Sequence, residues 1–137
     1  MNNIGPLIIN LDSTDISSHE ESLLRNKLIG GVILFQHNYA SKKQIKKLIN
    51  DIKRINSNIL ISVDHEGGRV QRFKAEFTKL PSFESIGRLY ADNKKSAENL
   101  AYSCGYVAGY ELKSIGVDIN FSPVIDLSSD SDVLNER

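Results

Sequence analysis

The densest run of chemically capable side chains is Asp64-His65-Glu66-Gly67-Gly68-Arg69-Val70-Gln71-Arg72, which follows directly on the apolar run Ile59-Leu60-Ile61-Ser62-Val63. A carboxylate accepts hydrogen bonds from vicinal hydroxyls, and an arginine a few residues on donates to the same hydroxyls, so Asp64 with Arg72 is a charge-assisted clamp for a polyol. The same two side chains equally make an ion pair that only pins a loop, and the pattern alone does not choose between the readings. The paired glycines between them permit a tight backbone turn.

A second candidate is Asn120-Phe121-Ser122-Pro123-Val124-Ile125-Asp126. Asp126 either faces a pocket or caps a turn, and Asn120 satisfies backbone groups. The unperturbed pKa of histidine lies near neutrality, which makes His65 a candidate proton carrier, but a histidine flanked by Asp64 and Glu66 is more often a structural hydrogen-bond partner. His37-Asn38-Tyr39 follows another apolar run and falls at a pocket rim, where the sequence supplies it no partner. No HExxH, Walker loop, dinucleotide glycine signature or EF-hand loop occurs, so no metal, nucleotide or other cofactor is expected.

Four apolar runs have to carry these residues. Pro6-Leu7-Ile8-Ile9-Asn10-Leu11 predicts a buried first strand. Val32-Ile33-Leu34-Phe35, the run ending at Val63, and 117–127 supply three more, with Pro123 confined near the end of the last. Ser18 with Glu21 has capping-box spacing for a short helix that closes at Gly30-Gly31. Ser41 with Gln44 repeats the spacing before Ile45, Leu48, Ile49, Ile52 and Ile55, one apolar helical stripe. A short helix is expected over 83–90. A long one is expected from Ser96 to about Ser114, with Ala97, Leu100, Ala101, Cys104, Val107, Ala108, Leu112 and Ile115 inward and Gly116 as its cap. The order β-α-β-α-β-α-β, with strands buried on both faces, predicts an α/β fold with a parallel sheet. In such folds ligands bind outside the carboxyl ends of the strands, where Asp64 and Asp126 fall.

Composition narrows the class of function. The chain has 137 residues, with 17 Lys plus Arg against 17 Asp plus Glu, so no net charge favours nucleic acid or an anionic membrane as partner. The lysines and arginine of 42–54 therefore read as a solvated helix face. No apolar run approaches the roughly 18 residues that span a bilayer, and no leader is evident. One cysteine excludes an intrachain disulfide and fits a reducing, cytoplasmic setting. A complete eight-stranded β/α barrel takes about 250 residues, so any such barrel is only partly present.

Taken in order, Gly30-Gly31-Val32-Ile33-Leu34-Phe35, Asn38-Tyr39, the segment from Val63 to Phe73, the segment from Asp118 to Asp126, and Glu136-Arg137 resemble the N-terminal part of family 3 glycoside hydrolases. The resemblance covers essentially the whole chain and is most specific over the nine residues from Asp64 to Arg72. It implies the N-terminal half of a (β/α)8 barrel of TIM type, with residues 1–137 a partial barrel domain. It also implies retaining hydrolysis of terminal β-linked N-acetylglucosamine from peptidoglycan fragments, as in cytoplasmic β-N-acetylhexosaminidases. Asp64, Arg72 and Arg137 match the positions that hold sugar hydroxyls, and Asp126 matches the acidic end of the fourth strand; Asp126, His65 and Glu66 are candidates for supporting residues behind them.

The family's nucleophile, an Asp on a late strand, and its acid/base, a His in a loop after the fifth strand, match no position within 1–137. Retaining hydrolysis needs both groups, so the chain by itself is expected to be silent. Four strands leave two open sheet edges, so it is also expected to aggregate or to pair with a complementing C-terminal half. The alternatives are a non-catalytic sugar-binding half-barrel, half of a split enzyme, or, last, a complete flavodoxin-like domain.

Overall fold

The computed structural model describes residues 4–125. Asp126, Glu136 and Arg137, named above, and the end of the run 117–127 lie outside the described residues. Four parallel strands form one sheet in the order β1-β2-β3-β6: β1 (Leu7–Ile9), β2 (Ile29–Leu34), β3 (Leu60–Val63) and β6 (Ile119–Asn120). Register runs from Gly31 opposite Leu60 to Leu34 opposite Val63 between β2 and β3, and Val63 stands opposite Asn120 at β6. Each strand is added to the same edge in chain order. A flavodoxin-like sheet instead reverses direction at a switch point, so that reading is excluded. The sheet remains open, as expected for part of a barrel.

The crossovers are α1 (Ser18–Leu24), α2 (Lys42–Ile55) and, between β3 and β6, α3 (Phe83–Asp92) followed by α4 (Lys94–Ile115). The stripe Ile45, Leu48, Ile49 and Ile52 seats α2 on the sheet, every one of them buried. Full burial of such a side chain contributes about 1.5–3 kcal/mol, which outweighs any propensity difference along the helix. These side chains join Val32, Leu34, Ile61, Val63, Leu112, Ile115 and Val117 in one core. Gly116 closes α4 in the left-handed conformation, and the Val117 N–H reaches back to the Leu112 carbonyl.

Several local expectations need correction. Strand β1 is not buried: Leu7 and Ile8 are 51% and 53% exposed, because β1 is an edge strand with one neighbour. The capping box at α1 is Ser17 with Glu20, one residue earlier than Ser18 with Glu21. The sequence offers both registers, and Glu20 is chosen because its second oxygen also accepts the Asp12 N–H at 2.8 Å. Gly30 and Gly31 cap nothing; they lie inside β2. A Cβ on Gly30 would stand 1.8 Å from the Gly5 carbonyl oxygen, so the glycine is there for close backbone approach. The last strand is only Ile119–Asn120, followed by irregular chain to Ile125. On α4, Ala101 is exposed and Leu100, Cys104 and Val107 are only half-buried. The expected loop after β3 contains a two-stranded antiparallel hairpin, β4 (His65–Gly67) with β5 (Val70–Gln71).

Candidate active-site mouth at the carboxyl end of the sheet

Parallel strands point their carboxyl ends the same way, so the residues after β1, β2, β3 and β6 meet at one edge of the sheet. Asp64 is the first residue past β3. The hairpin β4–β5 then turns the chain back so that Arg72 follows Gln71 on the return strand. Gly67 and Gly68 make that reversal, at φ 101° and 55°. A Cβ on Gly67 would stand 2.3 Å from the Pro81 carbonyl oxygen. The result is a direct ion pair, Arg72 Nη2 to Asp64 Oδ2 at 2.9 Å, with side chains 30% and 25% exposed. The pair is therefore formed yet reachable from solvent. Phe35, just past β2, lies under the guanidinium, 5.3 Å from ring centroid to Cζ. Such a cation–π contact fixes the plane of the arginine.

His65, next along the chain from Asp64, is 1% exposed and packs against Phe73 and Phe77 at ring-centroid distances of 5.9 and 5.6 Å. Burial pushes its pKa down to about 4, opposed only by the negative charge of Glu111. At neutral pH it is thus an uncharged ring in an aromatic cluster. Asn120, at the end of β6, accepts the His65 N–H at 2.9 Å and donates to the His65 carbonyl at 3.0 Å. One carboxamide so imitates a strand neighbour and extends the sheet past Asp64. Glu66, in β4, is half-buried.

Three features near the mouth were not legible in the sequence. His37 and Asn38 do have a partner, since His37 Nε2 is 2.8 Å from the Leu11 carbonyl oxygen, and Asn38 Nδ2 donates to the Leu11 and Ser13 carbonyls. They tie the chain after β2 to the chain after β1, across 25 to 27 residues that no local pattern connects. The buried Gln71 carboxamide organises the return loop, donating to Phe73 and Thr78 carbonyls and accepting the Leu80 N–H. Tyr39 closes the loop from the other side by donating to the Ala75 carbonyl, and burial followed by the nearby Glu76 carboxylate pushes its phenol up to about 12. Among the described residues, no group of three or more His, Cys, Asp or Glu gathers to hold a metal ion. No helix among them is long and apolar enough to cross a membrane.

A parallel sheet built strand by strand, with a partly exposed Asp–Arg ion pair at its carboxyl edge, defines the class: a segment of a β/α barrel. More particularly, the chain belongs to glycosyl hydrolase family 3, whose N-terminal domain model matches residues 4–137. It is 40% identical over 136 residues to a β-hexosaminidase of Nitrosospira multiformis and 41% identical over 136 residues to one of Hydrogenovibrio crunogenus. Each match covers 98% of this chain but only 39% and 38% of the relative. The chain therefore spans about two fifths of the length of those curated relatives. Among solved structures, NagZ from Neisseria gonorrhoeae in complex with N-trifluoroacetyl-D-glucosamine superposes with a TM-score of 0.87 at 38% identity, over 90% of this chain and 37% of that one. A family 3 β-N-acetylglucosaminidase from Paenibacillus superposes at 0.75 and 29% identity, over 88% and 23%.

Proposed function

We propose that residues 1–137 form the sugar-holding part of a β-N-acetylhexosaminidase barrel. Its substrate class is terminal β-linked N-acetylglucosamine on peptidoglycan fragments, handled in the cytoplasm. The observation that carries this reading is the Asp64–Arg72 pair, held together at 2.9 Å yet open to solvent at the carboxyl end of β3. Asp64 keeps its second oxygen to accept from one hydroxyl, and the Arg72 fork donates to its neighbour. The two readings of this pair merge here, because the ion pair holds each group in the orientation that a diol requires. Arg137 joins them as a third contact on the strength of the family likeness, and Asp126 supports them.

In this reading the chain binds and orients, and does no bond chemistry. Retaining hydrolysis requires a carboxylate to attack the anomeric carbon and an acid to protonate the leaving oxygen. Both groups belong to the part of the barrel beyond this chain, so Asp64 is not the nucleophile. Titration calorimetry with N-acetylglucosamine tests the proposal. Hydrogen bonds to charged groups are worth about 1.5–3 kcal/mol, so Arg72→Ala should weaken saturable binding roughly 10- to 100-fold. Equal binding by the variant, or no saturable binding by the parent chain, rejects it. The same preparation should release no chromophore from a chromogenic N-acetylglucosaminide, and protein-dependent turnover would reject the division of labour.

A further inference from the structure

The outward face of α4 carries three tyrosines at a spacing of four residues, Tyr102, Tyr106 and Tyr110, exposed by 77%, 65% and 71%. They lie on the side of the helix opposite Ala97, Ala108, Leu112 and Ile115, the buried residues of α4. They therefore face away from the sheet. The neighbouring i±4 row is Ala101, Gly105, Gly109 and Lys113, and nothing lies within 4 Å of a Cβ placed on either glycine. An aromatic ridge thus runs beside an open groove, both inclined alike along the helix.

We propose that this face is an interface with a second copy of this chain, two α4 helices packing antiparallel about a two-fold axis between Gly105 and Tyr106. The rows match term by term. Tyr106 of one copy meets Gly105 of the other, Tyr102 meets Gly109, and Tyr110 meets Ala101. At the ends, Glu98 of one copy meets Lys113 of the other, opposite charges on exposed side chains. Each contact recurs in reverse, as an isologous two-fold interface demands. A buried tyrosine removes about 150–250 Å² from water, so at these exposures the ridge offers about 400 Å² per copy. With the groove and the charged ends, the total reaches about 1,000 Å², the lower bound for a specific interface. The dimer is accordingly weak and concentration-dependent.

Sedimentation equilibrium across a concentration series tests this on the full chain. The apparent mass should rise from 15.3 kDa toward twice that value. Gly105→Arg fills the groove without an internal clash and should weaken association at least tenfold while leaving the fold intact by circular dichroism and the thermal melt no lower, since arginine favours a helix interior over glycine. Tyr106→Lys should do the same. E98K should weaken association about three- to tenfold, and E98K with K113E should restore it. That recovery reports the intermolecular pair, because the double variant does not restore the 3.9 Å contact between Lys95 and Glu98 within one helix. A mass of 15.3 kDa at every concentration overturns the proposal, as does association that survives Gly105→Arg. Association abolished by Ile8→Lys alone would place the interface at the open β1 edge and also overturn it. Failure of the charge-swapped double variant to recover overturns the antiparallel register.

Discussion

Acidification from pH 7 toward pH 4 should destabilise the protein chiefly through His65. Its folded pKa is held down to about 4 by burial among Phe73 and Phe77, against an ordinary value of 6.5. Between these values the unfolded chain binds a proton that the folded chain refuses, so stability rises with pH across the window and falls as pH drops through it. At about 1.4 kcal/mol per pH unit, the full loss is about 3 kcal/mol. That is a large fraction of the roughly 5–15 kcal/mol that keeps a domain folded. The carboxylates held low, Glu20, Glu111 and Asp118, act in a different window. In each, burial opposes ionisation but hydrogen bonds win: from Ser17 and the Asp12 N–H, from the Thr78 N–H and Lys42, and from Lys53 and the Ile61 N–H. Their stabilisation is present above the ordinary carboxylate pKa and is lost only as pH falls through their lowered values.

The assay is urea unfolding at half-unit steps from pH 7 to 4 for the parent chain and for His65→Phe, which keeps an apolar ring. The parent should lose about 3 kcal/mol across the window, and the variant should lose little above pH 4.5. Equal slopes in the two proteins, or a His65 imidazole that titrates near 6.5 by NMR in the folded state, would refute the reasoning.

Three further outcomes follow from single contacts. Gly30→Ala places a methyl 1.8 Å from the Gly5 carbonyl oxygen and should cost about 3 kcal/mol by parting β1 from β2, checked by the urea midpoint and by faster amide exchange along β1. Asn120→Ala leaves the His65 N–H and carbonyl without their partner and should cost about 2 kcal/mol, with the His65 amide exchanging faster than the β2–β3 amides. Ser17→Ala removes the α1 cap and should lower stability by about 1 kcal/mol, whereas Ser18→Ala, in the register the helix does not use, should leave the midpoint unchanged.

Much of this architecture is written locally. The stripe from Ile45 to Ile52 needs only helical periodicity to be seen, and the run ending at Val63 needs only its length and its lack of polar alternation. Ser41 as a cap and Gly116 as a terminator follow from side-chain chemistry within one turn. The Asp64–Arg72 pairing was one of two readings of a nine-residue segment, and the hairpin that brings the ends together made it a contact.

What the sequence by itself determined is therefore the four strands of the parallel sheet, the helices between them, their order, and the segment richest in chemically capable side chains, because each depends on interactions within a few residues. Tertiary structure decided the rest. It chose Glu20 over Glu21 because Asp12 offers an N–H, and it put Gly30 in a strand because Gly5 passes too close for a side chain. It also left Leu7 and Ile8 open, because an edge strand has one neighbour, and gave His37 and Asn38 their partner at Leu11. Where a contact decides, as at Glu20, Gly30, His37 and Asn38, the deciding atom lies between 8 and 27 residues away along the chain, and only folding brings it within reach.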